Sequence, residues 1–203
     1  MRLVASRVGL DRETVVRAAA TLADLRGHEV TLAELAAHLG VRTPSLYNHV
    51  AGQEGRRRER ALLAGRELAM RLGRAAIGKA ADDAILALAH AYRAFAKEHP
   101  SLYQAALRAP DPGDTAHVAL SEEILGIISA VLAAYGLRGE DTLHAIRGLR
   151  SLLHGFVALE LAGGFGLPLD LDESYVRLVR VYIAGLPRPE RIPPDHKSNG
   201  GLF

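Results

Sequence analysis

Apolar residues recur three and four positions apart along most of this 203-residue chain, which is the spacing of helices that bury one face. Glycines, prolines and capping residues interrupt the pattern where such helices start and stop. We therefore predict an all-α protein, with helices over residues 12–26, 32–39, 44–50, 51–79, 82–98, 101–108, 115–135, 142–162 and 172–185. The core face of the first helix is predicted to comprise Val15, Ala18, Ala19, Leu22 and Leu25.

The stretch 31–50, TLAELAAHLGVRTPSLYNHV, predicts two short helices joined by a tight turn. Thr31 and Glu34 have the spacing of a capping box at the start of the first helix. Gly40 can supply the positive φ that the turn needs. Thr43 is expected to cap the second helix, and Pro44 suits its first turn because no backbone N–H is lost there.

Burial of Leu46 leaves the polar face of the second helix outward, where it can enter a DNA major groove with its first turn toward the bases. The candidates for base-edge contacts are Thr43, Pro44, Ser45 and Asn48. The candidates for phosphate contacts are Thr31, Arg42, Tyr47 and His49. The alternative is a helical hairpin whose outer face is merely solvated.

The order Gly40-Val41, four residues, then Leu46-Tyr47-x-His49 resembles the TetR family of transcriptional repressors. This resemblance implies an N-terminal three-helix DNA-binding domain followed by a helical ligand-binding and dimerisation domain. The expected domains are 1–55 and 56–186, with residues 187–203 as a disordered tail. It also implies a homodimer that binds a palindromic operator and is released by a small-molecule effector.

Helix 142–162 is apolar almost all the way round, so it must be covered on every side. Residues 149–166, LRSLLHGFVALELAGGFG, resemble a TetR C-terminal domain with a Trp-His-Gly signature, of which His154-Gly155 is present and the tryptophan is not. The resemblance implies dimerisation through residues 142–162 and 172–186.

Arg147, Arg150 and His154 lie along one side of that helix, where a charge needs a partner. The partner could be an anionic effector, a carboxylate of the same protein, or water. Tyr92, Phe95, Tyr103 and Phe156 could line a pocket between helices, or could be ordinary core residues.

The start of the fourth helix departs from the TetR pattern, with Gln53 where the family usually has lysine and with Arg56 and Arg60 where it usually has apolar residues. The arginines could contact phosphate, or they could form a solvated face supported by a Glu54–Arg58 pair. These departures keep open a second hypothesis: a helical ligand-binding or interaction protein with weakened DNA recognition.

Composition adds constraints on location and chemistry. Residues 1–60 carry ten arginines and seven acidic residues, so positive charge is concentrated near the helix-turn-helix, as phosphate binding requires.

The chain has no cysteine, no His-Glu-x-x-His and no Gly-x-Ser-x-Gly motif. It shows neither a signal peptide nor an uninterrupted apolar run of about 18 residues. We expect a cytoplasmic protein that is not an enzyme, binds no metal or cofactor, and does not enter membranes.

Overall fold

The structure, a computed structural model, describes residues 11–28, 30–47 and 52–187; for residues 47, 52 and 53 it describes the backbone alone. Every regular element among these residues is helical, as the periodicity predicted. The helices are α1 (Arg12–Arg26), α2 (Leu32–Leu39), α3 (Thr43–Tyr47), α4 (Gly52–Ala76), α5 (Ala81–Glu98), α6 (Pro100–Ala105), α7 (Thr115–Leu132), α8 (Gly139–Leu161) and α9 (Leu171–Ala184). A short 3-10 turn, Ala133–Tyr135, follows α7.

Capping residues set the helix ends close to where the sequence placed them. Asp11 accepts a hydrogen bond from the backbone N–H of Thr14, and the Thr31–Glu34 capping box is fully formed. Gly40 ends α2 with φ 67°, in the left-handed region that the turn requires. The predicted role of Thr43 is wrong: α3 begins at Thr43 itself, and Arg42 precedes it with a carbonyl that accepts from the Ser45 N–H.

The described residues form two apolar cores, and α1 contributes to both. Val15 packs with Leu35, Ala36 and Leu46 inside the three-helix unit. Val16, one position on, belongs to the large core formed with α4–α9. Because α1 is buried on two adjacent sides, the single apolar face predicted for it was incomplete. Leu25, which was assigned to that face, is 75% exposed.

Ser101 in α6 links the N-terminal unit to the C-terminal helices. Its backbone N–H donates to Asp24 Oδ1 of α1 at 2.7 Å, and its hydroxyl donates to the Ala20 carbonyl at 3.2 Å. Its own carbonyl accepts from Arg60 Nη2 of α4 at 3.3 Å. Residue His99 at the start of α6 provides no side-chain cap, so Asp24 of another helix supplies that function. The hydrogen bonds therefore join α1, α4 and α6 at one point.

Helix α7 lies close along α4 because two glycines of α4 face it. A Cβ at Gly65 would stand 3.4 Å from Leu120, and one at Gly73 would stand 3.7 Å from Ile127. The segment Thr115–Tyr135 is long enough and apolar enough to cross a membrane. A core helix of a soluble protein can have the same length and composition. Here Glu122 and Glu123 interrupt its sequence, and the helix packs on α4 and lines a cavity.

Candidate DNA interface and effector cavity

The N-terminal end of α3 presents polar atoms outward on a firmly anchored helix. Leu46 is completely buried and fixes α3 against α1 and α2. Arg42, Pro44 and Ser45 are exposed, and Thr43 is half-buried. This arrangement leaves the first turn of α3 open to a groove of DNA, where small hydroxyl side chains can approach base edges.

Thr31 is exposed but its polar groups are already engaged. The hydroxyl donates to Glu34 Oε2 at 2.8 Å and accepts from the Glu34 N–H, and the Thr31 N–H also donates to Glu34 Oε2. The two bonds to the Glu34 carboxylate, led by the one from the backbone N–H of Thr31, lower the pKa of Glu34. A phosphate contact by Thr31 would therefore have to compete with the capping box. The side chain of Tyr47, together with Asn48 and His49, lies outside the described residues, as does the side chain of Gln53.

The arginines at the start of α4 have different partners from the predicted one. Arg58 does not pair with Glu54: it holds Asp114 with Nε–Oδ2 at 2.5 Å and Nη2–Oδ1 at 2.7 Å. Glu54 instead lies 3.8 Å from Arg57. Asp114 immediately precedes α7 and also accepts from the His117 N–H at 3.3 Å. The Arg58 hydrogen bonds lower the pKa of Asp114 below its usual value.

Arg56, Arg57 and Arg60 line a cavity of about 430 Å³ beneath the three-helix unit. Its opposite wall consists mainly of apolar side chains from α1, α2 and the residues between them: Val15, Val16, Ala19, Ala23, Val30, Leu32 and Leu35. This cavity lies where Arg56 and Arg60 replace the apolar residues that are usual in the TetR family, which the sequence resembles.

A second cavity, of about 450 Å³, lies among α4, α5, α6, α7 and α8 and is the candidate effector site. This size falls within the range of roughly 300–1,000 Å³ typical of small-molecule sites. Most of its wall is aliphatic, and four of the seven predicted ligand residues line it: Tyr92, Tyr103, Arg147 and Arg150. Arg150 Nη2 also donates to the Leu107 carbonyl at 2.9 Å, so the residues that follow α6 are held beside α8.

The two tyrosines of the cavity form one aromatic unit. Their rings meet edge to face, with centroids 5.8 Å apart. Tyr103 Oη lies 2.5 Å from His154 Nδ1. Burial raises the pKa of both phenols, and the charge of Arg150 acts in the opposite direction on each. Both hydroxyls are therefore neutral at ordinary pH, and that of Tyr103 is engaged with His154.

The other three predicted ligand residues do not line this cavity. Phe95 is fully buried in the core beside His99, and Phe156 packs between Phe165 and Tyr175. His154 stands behind the cavity wall, where it contacts Tyr103. Helical spacing placed all three on suitable helices, but it could not say which side of each helix faced a cavity.

A buried charge cluster near α8 was missed by the sequence analysis. Arg93 is 7% exposed and donates to both carboxylate oxygens of Glu160 at 2.7 Å. Asp172 lies 2.8 Å from the same guanidinium, and Lys97 donates to Glu160. Arg93 also stands over the rings of Tyr175 and Phe156. The only signal in the sequence was a charged residue at an apolar position of α5.

Exposed apolar side chains concentrate on α8, α9 and the loop between them. Of the ten large hydrophobic residues that are exposed in the described part of the chain, six lie there: Leu143, Leu159, Leu161, Leu167, Leu169 and Val181. Within the described residues, no group of three or more histidines and carboxylates is arranged to hold a metal ion.

A three-helix helix-turn-helix unit followed by an all-helical region with a cavity is the architecture expected of a helix-turn-helix transcriptional regulator, the class to which its sequence relatives are assigned. Residues 85–182 match the tetracyclin repressor-like C-terminal domain. The chain is 37% identical over 190 residues to Rv0681, an uncharacterized HTH-type transcriptional regulator of Mycobacterium tuberculosis, covering 93% of this chain and 87% of that protein. It is 39% identical over 182 residues to YobS, an uncharacterized HTH-type transcriptional regulator of Bacillus subtilis, covering 89% and 94%.

Solved structures agree on the fold. The regulatory protein SCO4313 superposes with a TM-score of 0.68 at 26% identity, covering 85% of this chain and 95% of that one. A TetR variant from Acinetobacter baumannii AYE in complex with minocycline gives 0.66 at 22% identity, covering 87% and 96%. The chain belongs to the TetR family of HTH-type transcriptional regulators. Regulators of this family bind DNA and act as dimers with small-molecule effectors.

Proposed function

We propose that this protein is a cytoplasmic, homodimeric repressor that binds a palindromic operator and leaves it when a small molecule fills the α4–α8 cavity. Arg42, Thr43, Pro44 and Ser45 at the start of α3 would face the DNA. Thr43, Pro44 and Ser45, with Asn48, are the base-edge candidates. Arg42, with Tyr47 and His49, is a phosphate candidate, and Thr31 is a weaker one because its hydroxyl is engaged.

A dimer is needed because one short recognition helix contacts few bases. Two copies would place their recognition helices one DNA turn apart, roughly 34–36 Å, so that a palindrome is read symmetrically. The exposed apolar residues on α8 and α9 support the proposed interface through residues 142–162 and 172–186. Val181 is 70% exposed, and a second copy would remove such side chains from water.

The observation that carries the release mechanism is the Arg58–Asp114 pair. Asp114 lies between two parts of the cavity wall, Arg108–Pro110 and His117–Val118. Its carboxylate binds Arg58, which is six residues into the helix that follows the helix-turn-helix. A ligand that moves the α6–α7 loop therefore acts directly on the start of α4. The Ser101 hydrogen bonds provide a second connection to α1.

For release, the effector need only bind more tightly to a dimer conformation whose recognition helices are not one DNA turn apart. It weakens operator binding by its differential affinity for the two states, and operator binding weakens effector binding by the same factor. Coupling free energies between two binding sites are typically about 1–3 kcal/mol, which changes affinity roughly 5- to 150-fold.

The primary experiment is fluorescence anisotropy of the full chain against the DNA just upstream of its own gene. Scrambled DNA of equal length is the control, and a salt series accompanies both. We expect a preference of about 10³-fold or more, with log affinity falling linearly with log salt. Equal and weak binding to both DNAs would contradict recognition of that site.

Replacement of Tyr47 tests the assignment of roles within α3. As a phosphate candidate, Tyr47→Ala should weaken binding to specific and scrambled DNA by the same factor, because phosphates carry no sequence information. The matched variant is Ser45→Ala, a base-edge candidate, which should reduce the preference for the operator. A Tyr47→Ala effect confined to one base position would contradict the phosphate role.

The second candidate function is a helical ligand-binding protein with weakened DNA recognition. It is favoured by one observation: Arg56, Arg57 and Arg60 border a cavity beneath the helix-turn-helix. Apolar residues there would join α4 more tightly to the DNA-binding unit. Substituting Arg56→Leu should leave operator affinity unchanged under the repressor proposal. A gain of tenfold or more would favour weakened recognition.

A further inference from the structure

The α4–α8 cavity has an apolar body and a basic edge, and this asymmetry identifies a ligand class. Of the 25 described residues that line it, 17 are apolar, with glycine counted among them. The charged ones are three arginines (Arg108, Arg147 and Arg150) and one carboxylate, Glu122. A ligand that removes this apolar wall from water must itself be largely apolar.

The arginines are grouped at one edge of the cavity. Arg147 and Arg150 are three residues apart on the same side of α8, which makes them neighbours on the helix surface. The bond from Arg150 to the Leu107 carbonyl holds Arg108 beside them. All three side chains are exposed, so they meet solvent at the cavity edge.

Most of the hydrogen-bonding capacity of these guanidinium groups is unused. In the part of the chain that the structure describes, Arg108 and Arg147 form no ion pair, and Arg150 uses one donor for a backbone carbonyl. Each guanidinium carries five N–H donors in a planar fork that matches a carboxylate. By contrast, Arg58, Arg71 and Arg93 of the same domain each pair with carboxylates.

From these observations we propose that the effector is an amphipathic carboxylate: an apolar body within the α4–α8 cavity and a single anionic head bound by Arg147 and Arg150. Tyr92 and Tyr103 also belong to the lining of this cavity. This inference rests on the proposed effector site and adds the chemical class of its ligand.

A matched series of ligands tests the charge preference directly. Isothermal titration calorimetry of the full-length protein would use decanoate, 1-decanol and decyltrimethylammonium, each below its critical micelle concentration. The three probes share a ten-carbon chain and differ in head charge. We expect decanoate to bind at least tenfold more tightly than the alcohol and the cation to bind most weakly. Equal binding of all three, tighter binding of the cation, or no binding of any would overturn the proposal.

Charge variants test the assigned residues. Arg147→Gln with Arg150→Gln should weaken decanoate binding by roughly tenfold or more, since charge-assisted hydrogen bonds exceed neutral ones. The control is Arg177→Gln on α9, where Arg177 pairs with exposed Glu173. Arg147→Glu with Arg150→Glu should reverse the order and favour decyltrimethylammonium. This reversal is a gain of binding, which a misfolded variant cannot mimic. Unchanged decanoate affinity in the folded glutamine variant would contradict the assignment.

The same samples, measured for operator binding, separate this inference from the release mechanism. Decanoate that binds without releasing operator DNA would contradict the release mechanism while supporting the ligand class. Release by decyltrimethylammonium, without release by decanoate, would support the mechanism and overturn the ligand class.

Discussion

Replacing Glu160 with glutamine should destabilise the protein strongly, because Glu160 is the counter-charge of a buried arginine. Its side chain is 9% exposed and accepts two hydrogen bonds of 2.7 Å from Arg93 and one of 2.8 Å from Lys97. The Arg93 hydrogen bonds, followed by those of Lys97 and the two charges, lower the pKa of Glu160 to about 2 against the cost of burial. The cluster joins α5 to α8 and, through Asp172, to α9.

The magnitude follows from the pKa shift. Glu160 starts from an ordinary value of 4.5, and each unit corresponds to about 1.4 kcal/mol. The ionised carboxylate therefore contributes roughly 3 kcal/mol. Glutamine keeps one carbonyl acceptor but removes the charge, which leaves Arg93 with Asp172 as its remaining partner. Losses of about 3–5 kcal/mol are typical when one member of a buried pair is removed, and Asp172 favours the lower end.

Urea unfolding at pH 7 and pH 3, at one fixed protein concentration, measures the effect. Because the folded pKa of Glu160 is lowered, its stabilisation is complete above about pH 5 and is lost as the pH falls toward 2. Glu160→Gln should therefore reduce the free energy of unfolding by roughly 3 kcal/mol at pH 7. The difference from wild type should shrink at pH 3, because below its ordinary pKa of 4.5 Glu160 takes up a proton in the unfolded wild-type chain while it stays mostly ionised in the folded protein.

The matched control is Glu173→Gln on α9, which removes an exposed partner of Arg177. Exposed ion pairs at this spacing contribute about 0.3–0.5 kcal/mol, so the control should change stability little. A loss below about 1 kcal/mol for Glu160→Gln at pH 7 would refute the reasoning. So would a loss of equal size at both pH values, since it would show that charge is not the cause.

Three further predictions concern function. Asp114→Asn keeps a side chain able to cap α7 but loses the charge that binds Arg58. The ligand should therefore release operator DNA several-fold less effectively from this variant in anisotropy titrations. Asp111→Asn is the control, and full release from Asp114→Asn would contradict the coupling role. Val181→Glu should convert the dimer to a monomer, as measured by light scattering, and should lower operator affinity by at least tenfold. Ile77 is similarly exposed but lies outside α8 and α9, so Ile77→Glu should do neither. Ser121→Leu, on a lining residue of α7, should occupy part of the cavity and weaken decanoate binding at least tenfold while leaving operator binding intact. Undiminished binding by calorimetry would place the ligand elsewhere.

Local features of the sequence determined the helices and the recognition unit. Several helix ends depend on interactions within a few residues, such as the Thr31–Glu34 capping box and the left-handed Gly40. Helix periodicity repeats every few residues, so the all-α fold was predictable from the pattern of apolar positions alone. The Leu46-Tyr47-x-His49 order then indicated the TetR family.

Contacts between distant residues were decided only by the tertiary structure. Arg58 and Asp114 are 56 residues apart, and Arg93 and Glu160 are 67 apart, so no local spacing marks either pair. The direction in which a helix faces also depends on its neighbours: Leu25 fits an apolar stripe yet is exposed, and Phe95 proves to be a core residue, one of the two alternatives that its spacing left open. The sequence by itself determined which residues form helices and which stretch has the helix-turn-helix pattern, because both depend on residues that are close together in the chain. The cavity, its basic edge and its connection to α4 exist only where separate helices meet.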